Sequence, residues 1–410
     1  MALLIKLLFP ESWPSAFSDF LAVGRESTAG LDLVVRVICD LEVEVVMFSE
    51  GRGKQEVIHN VLIKDAMRAN ENSIVKQLVE FLCQSAASVR SSNVELSERC
   101  LRCLAELIGW IDISLVACES TLSCLYLALR DSELCGAVLA CLLELVKKGM
   151  EPVQKITMLH AIGLAQVLTS VPISARSGQT DDSDDAEGAE DELGLVVDVY
   201  LIELIGCWSK YEDMLYGVID GGARPPESHS AESSATAVSE SQQLKDLAPN
   251  ISSLLHSLLP ISLALLNHRD TECEVATTVV PCLGRLIVLM KQQQAHKPQI
   301  DAMIARDGGK SNFFLAYDYL PPLLLGIYQQ MQFDEDFSYD PSDDNDAAII
   351  EVTFRTELIA TISIRGIICD WVQLGVERTL RGRTPPIPIV WTLTTCRNSI
   401  VNYTSWRDTF

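Results

Sequence analysis

This chain contains very little of what catalysis, membrane insertion or β-structure requires. No stretch reaches the roughly 18 consecutive apolar residues expected of a membrane-spanning helix, so membrane insertion is not expected and the protein should be soluble. The opening MALLIKLLFPE is apolar, but Lys6 interrupts it and no small-residue cleavage site follows. It reads as the last turns of a helix rather than as a signal peptide. The six histidines, His59, His160, His229, His256, His268 and His296, form no H-x-x-x-H or H-E-x-x-H pair. G-x-x-x-x-G-K-[ST], G-x-G-x-x-G and G-x-S-x-G are also absent. The reading is therefore not an enzyme, with no catalytic residues, no metal site and no cofactor. Period-two alternation is not sustained before the final forty residues, so strands are not expected.

Bases are scarce as well: 32 Lys and Arg stand against 56 Asp and Glu, a formal charge of -24. That charge is concentrated in two places. Residues 180–192 hold eight acids and residues 334–346 hold seven, with no base in either window. These windows carry 15 of the 24 net negative charges, so the rest of the chain is only mildly acidic and local basic strips remain available. The second window, DEDFSYDPSDDND, lacks the Gly and Glu that an EF-hand loop needs at its sixth and twelfth positions, which leaves a solvated acidic loop. Thirteen cysteines sit mostly in apolar helical patterns, pointing to a reducing compartment. Cys100 and Cys103 form a C-x-x-C with Cys118 and Cys124 downstream, but a helix face rich in cysteine is more often core than zinc ligand.

What the sequence does have is helical period. Residues 251–291 read as two amphipathic helices folded back through a polar turn. The first carries Leu254, Leu255, Leu258, Leu259, Leu263 and Leu266, with Pro260 as a kink. Asn267 and Asp270 supply turn and cap chemistry, and Val275, Val279, Leu283, Leu286 and Ile287 form the second stripe. Such a pair cannot bury both apolar faces alone, and stacking many pairs builds a continuous core. The same period predicts helices over 13–24, 31–48, 54–69, 72–90, 94–111, 114–130, 132–148, 152–169 and 193–219. Ser12 is the expected cap of the first of these, and Gly149 with Pro152 marks a stop and restart. The fold class is all-α, a HEAT-repeat α-solenoid of antiparallel helix pairs. Its expected divisions are repeats at 1–171, an acidic disordered insertion at 172–192, a helical segment at 193–220 and a Gly/Pro/Ser-rich disordered insertion at 221–242. Repeats then resume at 243–372 with the acidic loop, before an aberrant or disordered tail at 373–410.

For nucleic acid the candidate residues are Arg99 and Arg102, three apart on the helix 94–111, and Lys147 and Lys148 at the end of the helix 132–148. Each can meet a phosphate, reading shape rather than sequence. Each can equally be a solvated charge, and the lysines can complement a helix C-terminus.

Several segments point to a family. GWIDISLV at 109–116, CLLELVKKGMEPVQK at 141–155 and YQQMQFDEDFSYD at 328–340 resemble exportin-T, the tRNA-exporting branch of the importin-β (karyopherin) superfamily. LLFPESWPSAFSDFL at 7–21 and HNVLIKDAMR at 59–68 are similar in the same order. The resemblance covers roughly residues 5 to 370. It implies a HEAT-repeat receptor that binds tRNA together with the Ran GTPase in its GTP form, engages nuclear pore proteins and shuttles between nucleus and cytoplasm. It also implies a fragment that lacks the N-terminal Ran-binding region and the C-terminal half, with weak or absent Ran coupling. After Trp371 the resemblance lapses into a proline-containing tail of read-through character. The reading from a different class is a generic HEAT scaffold for proteins that never touches RNA.

Overall fold

The computed structural model describes residues 1–47, 52–69, 73–173, 185–220, 231–268, 274–306 and 313–330. No strand occurs among them, and the fold is the all-α helical-repeat solenoid expected. The helices fall into two compact units, each taken separately below. Among the described residues the division falls inside two long helices, at Tyr211/Glu212 and Leu258/Leu259.

In the first unit, α1 (Ala2–Leu8), α2 (Ala16–Glu26) and α3 (Thr28–Leu41) lead into a π-helical stretch, Glu42–Val46, and then α4 (Lys54–Arg68). Next come α5 (Ile74–Val89), α6 (Val94–Trp110), α7 (Glu119–Ala128), α8 (Ser132–Val146), α9 (Pro152–Ala161), α10 (Leu164–Thr169) and the long α11 (Asp185–Asp220). The helices pair antiparallel, α2 with α3, α5 with α6 and α7 with α8. Successive pairs stack in two layers, α3 against α6 against α8 in one and α5 against α7 in the other. The stacking follows from where leucine falls. On α6, Leu101, Leu104, Leu107 and Ile108 are 0–2% exposed because they meet helices on both sides. Each such burial contributes about 1.5–3 kcal/mol. Cys100 and Cys103 are buried on the same face, and no group of metal-ligating side chains occurs among the described residues.

Helix ends are set by local chemistry. Ser27, Ser73 and Asn93 accept from the amides of Gly30, Lys76 and Leu96 at 3.0, 3.3 and 3.0 Å, starting α3, α5 and α6. Ser12 is not a cap: α2 begins at Ala16 with Ser15 at the cap position, after a turn through Trp13 and Pro14. The helix expected over 152–169 starts at Pro152, whose missing N–H costs nothing there, but it breaks into α9 and α10 at Gly163. That glycine takes φ 70°, and the Ile162 carbonyl accepts from Tyr126 Oη at 2.9 Å. The helix expected over 114–130 starts five residues late. Asp112 first captures the amide and hydroxyl of Ser114 at 2.8 and 2.6 Å, closing a 3-10 turn at Ile113–Leu115.

α11 carries Val197, Leu201, Leu204, Ile205 and Trp208 as a buried face, the stripe read from sequence. It begins at Asp185, and α12 (Ala231–Leu266) begins at Ala231, so 185–192 and 231–242 are helical rather than disordered. Apolar side chains further along each helix pack against neighbours and carry the polar first turns with them. Residues 174–184 and 221–230 lie outside the described residues, as do the acidic loop 334–346, the tail 373–410 and Asp270. The window Ser241–Leu266 of α12 is long and apolar enough to cross a bilayer by length and composition. Of its most apolar 18-residue window 56% is buried, as in a core helix.

The second unit contains the ends of α11 and α12, then α13 (Glu274–Thr278), α14 (Val280–Ala295), α15 (Lys297–Arg306), a 3-10 turn at Ala316–Tyr319 and α16 (Leu320–Gln330). Pro260 does not interrupt α12, whereas Pro281, at the start of α14, separates it from α13. Gln293 organises this unit. Its amide donates to Glu212 at 2.5 Å and to the Phe314 carbonyl at 2.9 Å, while its oxygen accepts from the Ala316 amide at 2.8 Å. Gln330 donates to the Leu266 and His268 carbonyls at 2.6 and 2.8 Å, closing the C-terminus of α12.

Candidate nucleic-acid interface

Arg99 and Arg102 project from α6, and Lys147 and Lys148 follow the last turn of α8 in the same layer. The Lys148 ammonium donates to the Ile111 carbonyl at 2.7 Å, so it sits at the C-terminal end of α6. Nine residues of helix, about 14 Å, separate that end from Arg102. The structure thus places the four cations as two groups rather than one continuous strip.

Each cation has a partner. Arg99 pairs with Asp32 of α3 and, at 3.5 Å, with Glu95 one turn back. Arg102 Nε donates to Glu98 at 2.7 Å, and Lys147 Nζ to Glu144 at 3.0 Å. Lys148 is pushed down by burial in its carbonyl-capping position, with Glu144 opposing that shift and Arg68 adding to it. Glu192 of α11 lies in the field of both Arg102 and Lys147. Burial raises its pKa and the two cations counteract that. Four cations therefore stand among five carboxylates, Asp32, Glu95, Glu98, Glu144 and Glu192. The face is charge-paired.

A polar cluster at the α6 C-terminus escaped sequence reading. Trp110 Nε1 donates to Glu42 at 2.7 Å, the Arg68 guanidinium lies 5.0 Å over the Trp110 ring, and it donates to the Trp110 carbonyl at 2.7 Å. Burial raises the Glu42 carboxyl to about 7, against the Trp110 hydrogen bond that favours its charged form. Glu42 opens the π-helical stretch, a geometry frequent at functional sites. Only the pairing of an aromatic with an acid far apart in sequence marks it, and no local pattern shows that.

Comparison with known proteins adds what the charges alone do not. Residues 1–142 match the family model "Exportin 1-like protein". Helical-repeat proteins of the exportin type are the class to which this chain is similar, and its helix pairs are the architecture of that class. More particularly, the chain is exportin-T-like. It is 25% identical to Exportin-T of Danio rerio over 346 residues, 84% of this chain and 30% of that protein. It is 31% identical to Exportin-T of Dictyostelium discoideum over 173 residues, 41% of this chain and 15% of that protein. The figures for Exportin-T of Homo sapiens are 32% over 169 residues, 41% and 17%. The chain thus spans less than a third of the length of these relatives.

Proposed function

We propose that this chain belongs to a nuclear export receptor for tRNA, one that binds its cargo together with Ran in its GTP form and passes between nucleus and cytoplasm through contacts with pore proteins. The similarity to exportin-T along 84% of the chain carries this reading. The face formed by α3, α6, α8 and α11 is compatible with it. Exposed ion pairs such as Arg102–Glu98 contribute about 0–1 kcal/mol, so a phosphate can take the place of the carboxylate at little cost. Arg99, Arg102 and Lys147 are then the phosphate-contacting residues. Lys148 remains committed to closing α6.

The second reading, a helical scaffold for proteins that never touches RNA, draws support from the five carboxylates around those cations. Capture of RNA from nuclear extract on the immobilised chain, followed by sequencing, separates the two. Enrichment of tRNA over the input RNA pool supports export. Recovery of proteins with RNA at input proportions supports the scaffold.

A further inference from the structure

The first two turns of α11, residues 185–192, carry five acids, Asp185, Glu187, Glu190, Asp191 and Glu192, and no base. Packing sets this acidic start against α6 and α8, the helices of the same compact unit that bear the candidate cations. At Gly136 of α8 an added Cβ would lie 3.7 Å from the Ala189 Cα and 3.8 Å from Arg102 Nη2. The α11 backbone and the Arg102 guanidinium therefore approach the same point of α8. Glu192, three residues past Ala189 and on the same side of the helix, stands in the field of Arg102, Lys147 and Glu144. Cys141, further along α8, feels both Arg102 and Glu192. Leu193, Val196 and Val197, all fully buried, hold this part of α11 in place.

Glu192 differs from the other carboxylates at these two cations. Glu98 and Glu144 reach Arg102 and Lys147 from four and three residues away on the same helix, as ordinary surface pairs do. Glu192 is brought in by a separate helix. Nor does it serve the N-terminus of its own helix, because the macrodipole fades within the first turn and Glu192 lies two turns beyond Asp185. Its charge is directed at the cations of α6 and α8, where an incoming phosphate would meet it.

We propose that the acidic start of α11 is an autoinhibitory segment, which screens Arg102 and Lys147 and competes there with the phosphates of bound RNA. That the competitor is RNA rests on the export reading above, whereas the screening of the two cations does not.

The test uses the full chain and three variants. Glu192→Gln keeps the side chain's shape and removes its charge, and Glu192→Lys reverses the charge. Glu119→Gln, in the first turn of α7 in the other layer, makes the same change in net charge away from this face. Each form is eluted from heparin, a polyanion that is not a nucleic acid, and titrated with tRNA by filter retention, both at about pH 8 so that the Glu192 carboxyl is ionised. Glu192→Gln should leave heparin at higher salt than Glu119→Gln, and should bind tRNA about threefold more tightly than the parent, with Glu192→Lys gaining about tenfold. Both gains should shrink between about 50 and about 200 mM salt. Co-elution of Glu192→Gln with Glu119→Gln overturns the proposal, and so does retention of tRNA with equal affinity by all four forms. Separation on heparin with tRNA retained by none of them upholds the screen and overturns the export reading instead.

Discussion

Raising the pH from 5 to 8 should destabilise the first unit in part through Glu42, and Glu42→Gln should remove that component. The folded state holds the Glu42 proton to about pH 7, against an ordinary value of 4.5. Between those values the folded chain binds more protons than the unfolded chain. The stabilisation is therefore fully present below pH 4.5 and is lost as pH rises through 7. The full difference would correspond to about 3 kcal/mol at 1.36 kcal/mol per unit. Glu42 retains some solvent, and screening reduces the effect to about 1–2 kcal/mol. The substituted side chain keeps an amide oxygen that can accept from Trp110 Nε1 and has no charge to desolvate. Urea unfolding followed by circular dichroism at pH 5, 6, 7 and 8 reads the effect. The variant should match the parent at pH 5 and exceed it by about 1–2 kcal/mol at pH 8. Glu106 and Glu192, also raised, titrate in both proteins and cancel in the comparison. Parallel pH curves for parent and variant would refute the reasoning.

Two further outcomes follow from packing. Lys155 is 5% exposed at its side chain and pairs with Glu203 of α11 at 2.8 Å, so Glu203→Ala strands a buried ammonium and should cost about 2–4 kcal/mol by the same urea unfolding; a loss under about 0.5 kcal/mol would show that water reaches Lys155. Gly30 of α3 lies against the Val23 carbonyl of α2, where an added Cβ would meet backbone rather than a movable side chain. Gly30→Ala should lower the thermal midpoint by several degrees despite the better helix propensity of alanine, and an unchanged or higher midpoint would contradict that packing.

The helices were legible because leucine, valine and isoleucine recur at helical spacing over long segments, as on α6 and α11, and burial follows that spacing residue by residue. Breaks were less legible. Gly163 and Pro281 divide helices that period alone would continue, and Asp112 delays α7 through one side-chain contact. At the candidate interface, the partners of Arg102 and Lys147 lie four and three residues away, so a reading of charge spacing shows them. Asp32 reaches Arg99 from 67 residues away, and the Ile111 carbonyl reaches Lys148 from 37. Those pairings depend on how α3, α6 and α8 stack, which no local pattern encodes.

Binding of tRNA to the chain, titrated by filter retention with and without Ran-GTP at several salt concentrations, tests the central claim most directly. Three phosphate contacts, from Arg99, Arg102 and Lys147, predict a logarithmic salt slope of about -2.7 and roughly a fortyfold loss of affinity between about 50 and about 200 mM salt. A reversal of charge at Arg102 and Lys147 should abolish retention. Affinity that is insensitive to salt, or equal in the charge-reversed variant, would contradict the account.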